Sequence, residues 1–171
     1  AVYKNDIMNY YLFFKLFHLL AVIAFLGNII TGLFWMRFAC KTNNREIVLH
    51  TAKGIIFSDR LFTIPGVIVI TGFGITAAIY ANIPLLRTGW IFWPIVLFSL
   101  SGLFFGFWVA PLQVKMRKLL ESETGDRKIM PAGFSRLFKR WEFWGLMALL
   151  TPIIAFFMMT MKWPVLSPLA R

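Results

Sequence analysis

Four long apolar runs constrain this chain more than any other feature of its sequence. They cover residues 10–38, 61–81, 90–112 and 143–163. Each has the roughly 20 residues that a helix needs to cross a bilayer core of about 30 Å. None alternates apolar with polar residues, as the strands of a membrane barrel do. Because a segment in lipid must satisfy its own backbone hydrogen bonds, the sequence predicts an all-α fold, a four-helix transmembrane bundle.

The composition agrees with a chain whose solvent is largely lipid. Hydrophobic residues make up 59% of the 171 residues and charged residues only 15%, whereas soluble domains have about 25% charged residues. The length fits one integral membrane domain, residues 1–171. The single Cys40 excludes a disulfide within the chain and a site of several cysteines. No cleavable signal peptide is expected, and the true start is either Ala1 or Met8.

Lysine and arginine are concentrated between the runs and give a net charge of +11. Residues 39–60 and 113–142 hold most of them, and the short connection between the second and third runs holds only Arg87. The positive-inside rule therefore makes both stretches cytoplasmic loops and puts both termini on the outer, periplasmic side of a bacterial inner membrane. The same residues predict contact with anionic lipids at the cytoplasmic face, and their placement argues against nucleic-acid binding.

The two predicted cytoplasmic loops contain helical signals. Asn43, followed by Glu46, predicts a capped helix that continues towards the second span. The second loop begins as an extension of the third helix and is predicted to break at Gly125. Pro131 and Gly133 then indicate a turn before the fourth helix.

One face of the first helix carries polar groups at membrane depth. Lys15, His18, Phe25 and Asn28 recur at helical spacing and are predicted to turn into the bundle. Ionisable groups inside a span are costly, so each is a functional hypothesis. His18 has three interpretations: a structural hydrogen-bond partner, an axial haem ligand, or a proton carrier beside a quinone or porphyrin. Met158 on the fourth helix is a possible second haem ligand.

Two further features predict how the helices pack. Asp59 and Arg37 lie on the same side of the membrane, so they are predicted to form a structural ion pair between the first two helices. Gly102 and Gly106 form a small-residue motif on the third helix. Such motifs allow close helix approach, and packing within the bundle is favoured here over a homodimer.

The segments FFKLFHLL, DRLFTIPGVIVITG and WVAPLQVKMRKL resemble a family of bacterial integral membrane proteins without assigned activity. That family is distantly similar to CopD-type copper proteins and to HemJ-type haem-containing protoporphyrinogen oxidases. Lys15 and His18 resemble the Lys-x-x-His of the first HemJ helix, and Arg37 falls where that helix ends. The resemblance implies haem b bound through His18. Pro94 stands where HemJ proteins have a lysine, so the resemblance does not extend to porphyrinogen oxidation.

The sequence thus supports two functional hypotheses. The first is a small membrane protein that binds haem b or a porphyrin through His18, with Lys15, Phe25 and Asn28 on the same face. The second is a non-catalytic accessory subunit of a larger respiratory or photosynthetic complex, packed through aromatic helix faces. No multi-residue metal motif or nucleophile triad occurs, so the sequence names no reaction.

Overall fold

The computed structural model describes residues 2–122 and 129–169, with side chains from residue 7 onward. Within these residues the chain is all-helical, and four helical rods are long and apolar enough to cross a membrane. They cover Ile7–Lys41, Arg45–Tyr80, Gly89–Ser122 and Phe134–Met161. The predicted all-α fold with four spans is therefore confirmed. The orientation of the termini stays a prediction.

Six α-helices build the four rods. They are α1 (Val2–Lys41), α2 (Arg45–Ser58), α3 (Ile64–Tyr80), α4 (Gly89–Phe104), α5 (Ala110–Ser122) and α6 (Phe134–Met161). A π-helical turn, Asp59–Thr63, joins α2 to α3, and a second, Phe105–Val109, joins α4 to α5. Each turn lies just before a proline, Pro65 or Pro111, which has no N–H for the helix ladder. Turns of this kind occur frequently at functional sites.

The region expected as the first loop is largely helix. The predicted cap at Asn43 is wrong by one residue, because the Asn44 side chain accepts hydrogen bonds from the backbone N–H groups of Glu46 and Ile47. Asn43 instead has a φ of 50° and reverses the chain after α1. The predicted break at Gly125 lies outside the described residues.

The bundle consists of two closely packed helix pairs. α1 runs along α3, and α4 runs along α6. We call the end that carries Lys41 and the start of α6 the basic end, and the opposite end, which carries the start of α4 and the close of α6, the termini end. The two pairs join mainly towards the basic end, where Leu33 of α1 meets Gly145 of α6. A continuous core fills this end: Met36, Ala39, Val48, Ala52, Ile55, Val109, Leu112, Met116, Leu120, Phe134, Trp141 and Ala148.

Small residues allow some of these contacts but not those expected from the motif on the third span. Gly66 leaves room for the Phe25 ring, and Gly74 leaves room for the His18 ring. Gly102 and Gly106, in contrast, both face open space and are exposed. The prediction that they pack within the bundle is wrong, because α4 turns a different face, with Ser101, towards α6.

Candidate functional site

A buried carboxyl group lies at the centre of a polar cluster inside the bundle. Asp59 is 7% exposed, and its Oδ1 accepts hydrogen bonds from Asn28 Nδ2 at 3.0 Å and Thr63 Oγ1 at 2.9 Å. Its Oδ2 accepts one from Gln113 Nε2 at 2.8 Å. Asn28 Nδ2 also donates to Thr63 Oγ1 at 2.9 Å. Buried polar groups need such partners, so the cluster fixes three rods at one level.

The two π-helical turns position this cluster. Asp59 is the first residue of the turn between α2 and α3, and Thr63 is its last. Gln113 follows the turn between α4 and α5 by one helical turn. Both rods are therefore irregular where their polar side chains meet.

The cluster forms part of the wall of a cavity of about 200 Å³ between the helices. Asn28, Asp59, Thr63 and Gln113 all line it, but most of its surface is apolar. Phe25 of α1 and Phe98 of α4 also line it, and their rings lie 5.4 Å apart. The cavity thus combines one acidic polar patch with an aromatic and aliphatic wall.

The cavity opens between α3 and α4. Across residues 64–80 and 89–104, all of which the structure describes, no Cα atom of one helix lies within 8 Å of a Cα atom of the other. Thr71 on α3 and Ser99 and Gly102 on α4 line the cavity, although each is exposed on the surface. Part of the cavity wall therefore lies at the surface of the bundle between α3 and α4.

The opposite wall is held by a hydrogen bond that compensates for a proline. Pro152 lies inside α6 and has no N–H to donate to the carbonyl of Ala148. The Ser101 hydroxyl of α4 donates to that carbonyl at 2.6 Å, and Ser101 is 2% exposed. In lipid a freed backbone carbonyl needs such a partner. The bond joins α4 to α6 beside the cavity.

Trp141 contributes an unsatisfied donor to the same region. It lines the cavity, is 2% exposed, and its Nε1 has no hydrogen-bond partner among the described residues. A buried indole N–H usually finds an acceptor. This donor indicates that the cavity region is suited to a polar group or ordered water.

His18 lies outside the cavity, at the contact between α1 and α3. Its Nδ1 is 2.8 Å from the Ile70 carbonyl oxygen. A carbonyl only accepts, so Nδ1 carries a proton and donates it to this bond. Gly74 makes room for the ring, since a Cβ there would lie 2.9 Å from Nδ1. His18 turns towards a neighbouring helix, as the polar face of α1 requires.

The structure divides the predicted haem-binding face into two places. Phe25 and Asn28 line the cavity, but His18 and Lys15 do not. The Lys15 ammonium lies over the Tyr11 ring, 5.6 Å from its centre. Met158 is on α6, which packs along α4, whereas His18 lies between α1 and α3.

The predicted Arg37–Asp59 pair is wrong. Arg37 Nε instead pairs with Glu142 Oε1 at 3.1 Å, which joins α1 to α6. The reason is height along the helix. Asp59 lies level with Asn28, and Arg37 is nine residues further along α1, which is about 13 Å of rise. Because α2 and α3 form one rod, Asp59 is in its middle and not at its start.

Three polar residues of the cavity wall, Thr63, Ser101 and Gln113, were not predicted as site residues from the sequence. The usable signal was a polar residue in an otherwise apolar segment, which in lipid must find a partner in another helix. Nothing in the sequence indicates which partner it finds.

Comparison with known proteins gives one result. A family model described as a predicted integral membrane protein matches residues 12–163. No curated protein and no solved structure matches the chain.

Proposed function

The chain belongs to the DUF2269 family of predicted integral membrane proteins, and we propose that it is a multi-pass membrane protein that binds a small molecule in the cavity beside Asp59. The observation that carries this proposal is the Asp59 cluster itself. A carboxyl group 7% exposed, held by neutral donors on the wall of a cavity, is costly to keep in a membrane span. Such intramembrane ionisable groups mark sites for ligands or ions.

The size of the cavity sets the size of the ligand. An engineered cavity of about 150 Å³ in another protein holds benzene. The cavity here has about 200 Å³, so it suits one ring with a short substituent. The mostly apolar wall suits the body of such a molecule, and the polar patch suits one hydrogen-bonding end.

The side opening supports entry from the bilayer. Thr71 and Ser99 stand at the opening with exposed hydroxyl-bearing side chains, and the helices α3 and α4 on either side are apart. A ligand that partitions into lipid arrives at this position without crossing an aqueous path.

The test uses the protein in lipid nanodiscs and para-fluorobenzyl alcohol as the probe, followed by fluorine NMR. We expect a bound resonance with the wild type that is absent from empty nanodiscs. Gly102→Leu should abolish it, because Gly102 lines the cavity and has open space in front of it. Gly106→Leu is the matched control, since Gly106 is equally open but outside the cavity. An identical spectrum for all three proteins would reject the proposal.

Haem binding through His18 is the second candidate function. It is supported by the hydrogen bond from Nδ1 to the Ile70 carbonyl. In metal-binding histidines this arrangement orients the ring and leaves Nε2 available to the metal. The cavity does not extend to His18, so a haem would need a place outside it.

A visible spectrum tests this candidate. Protein expressed with haem supply should show a Soret band that His18→Ala removes and Lys15→Ala leaves in position. A colourless protein, or a band unchanged by His18→Ala, would reject haem binding.

Association with other membrane subunits, or with a second copy, stays a prediction from the sequence. The exposed aromatic side chains Phe34, Trp35 and Phe38 on α1 support it. Native mass analysis after gentle solubilisation should then give a species heavier than the single chain of 19.8 kDa. A monomer would count against both forms of association.

A further inference from the structure

We propose that the ligand is a small organic cation, a protonated amine on an apolar body, whose ammonium group binds the Asp59 carboxylate. This inference rests on the proposed function, since it names the chemical class of the molecule in the same cavity.

The charge of the cavity wall favours a cationic ligand. Asp59 is its one acidic residue among those described, and no lysine, arginine or histidine lines it. No basic side chain of residues 7–122 or 129–169 forms an ion pair with Asp59. Arg37 lies about 13 Å further along α1 and pairs with Glu142. A buried carboxylate without a cation is the arrangement that a cationic ligand completes.

The amide groups next to Asp59 also favour a ligand that donates hydrogen bonds. Asn28 and Gln113 both donate their NH₂ groups within the cluster, through Nδ2 and Nε2. None of the hydrogen bonds that Asn28 and Gln113 form with the described residues uses their carbonyl oxygens, Oδ1 and Oε1. Both residues line the cavity. Carboxylate and amide oxygens together form a group of acceptors, and an ammonium group offers three donors and no acceptor.

A metal ion or an anionic ligand fits this cavity less well than an organic cation. No group of three histidine, cysteine, aspartate or glutamate side chains within the described residues could hold a metal ion. Most of the remaining wall is apolar, and it includes the rings of Phe25, Phe98 and Phe105. An anionic ligand would meet the carboxylate and the amide oxygens and be repelled. Aromatic rings near a cation add a further attraction.

The experiment compares three probes of nearly equal shape in nanodiscs: para-fluorobenzylamine, para-fluorobenzyl alcohol and para-fluorobenzoate. Fluorine NMR titration gives each Kd. For the wild type we expect the amine to bind at least about tenfold more tightly than the alcohol, because a charge-assisted hydrogen bond is roughly twice as strong as a neutral one. The benzoate should not bind.

Asp59→Asn provides the decisive variant. It keeps the shape of the side chain and removes the charge. The Gln113 amide can rotate so that its carbonyl oxygen accepts a hydrogen bond from the new asparagine. The amine should lose its advantage over the alcohol in this variant, while the alcohol still binds. Gln113→Leu frees Oδ2 of Asp59 from its donor and should widen the advantage of the amine over the alcohol, which keeps the inference testable if Asp59→Asn does not fold.

The outcomes separate the two proposals. If the wild type binds the alcohol and the amine equally, the organic-cation inference is overturned and the cavity proposal stands. If the wild type binds none of the probes in the cavity, the proposed function itself is overturned. If Asp59→Asn retains the preference for the amine, the assignment of Asp59 as the recognition group is overturned.

Discussion

The basic end of the bundle and the half that reaches the termini end differ in how the helices meet. At the basic end all four rods contribute to one buried core, which includes Met36, Val48, Met116 and Phe134. Beyond the cavity the rods separate into the pairs α1–α3 and α4–α6. The difference teaches that the continuous apolar core joins the two helix pairs at the basic end. The polar cluster lies where closed packing changes to open packing.

The connections between the rods add to the closed end. Arg45 is 5% exposed and its Nε donates to the Leu120 carbonyl at 2.7 Å, near the end of α5. The last carbonyls of a helix have no partner within it, so this bond both caps α5 and joins it to α2. Towards the termini end, aromatic rings pack between α1 and α3. The Phe14 ring stacks on the Tyr80 ring, with their centres 5.4 Å apart.

The largest expected effect contrasts the two regions directly. Met116→Ala removes a side chain that is 0% exposed in the closed core and should lower the free energy of unfolding by about 2–5 kcal/mol. Val67→Ala, on the cavity wall where the side chain is exposed, should cost less than about 1 kcal/mol. Chemical unfolding followed by circular dichroism measures both. Equal losses would mean that the open half is packed as tightly as the basic end.

A second prediction concerns the α4–α6 pair. Ser101→Ala leaves the Ala148 carbonyl without its donor and should cost about 1–3 kcal/mol of unfolding free energy. Ser99→Ala is the control on the same helix, because its hydroxyl bonds to Ile95 within α4, and it should change stability by less than about 0.5 kcal/mol. If the two variants unfold alike, the proline compensation contributes nothing.

A third prediction concerns the contact between α1 and α3. In Gly74→Ala the added methyl group pushes the His18 ring aside, so that Nδ1 loses its contact with the Ile70 carbonyl. This should destabilise the protein by about 1–3 kcal/mol. Gly72→Ala meets open space two residues earlier and should stabilise α3 by about 0.5–1 kcal/mol. Thermal unfolding of both variants gives the sign. A stabilising Gly74→Ala would contradict the tight contact.

The smallest expected effect is at the surface of the closed end. Arg37 pairs with Glu142, but its side chain is 69% exposed. Glu142→Gln should therefore cost only about 0.2–1 kcal/mol, and the loss should vanish at high salt. Unfolding at two ionic strengths measures it. A larger loss that persists at high salt would show that this pair, and not the apolar core, closes the basic end.

Much of the fold could be predicted because the solvent is lipid. Backbone groups in a bilayer must bond within their own segment, so long apolar runs such as 90–112 have to be helices. The site could be predicted less well. The polar face of α1 correctly marked Asn28 and Phe25 as inward-facing, but the same periodicity also grouped them with His18, which contacts α3 at a different level.

The sequence by itself determined the number of spans, the inward turn of Asn28 and the need for Asp59 to find partners, because burial of polar groups in lipid is costly whatever the arrangement of helices. Only the tertiary structure decided that those partners are Thr63 and Gln113 and not Arg37. The two π-helical turns and the continuous rods that contain them set the position of each side chain along the bundle axis. This position depends on packing between segments that are far apart in the chain. The cavity exists for the same reason, since it is the space left where the two helix pairs separate.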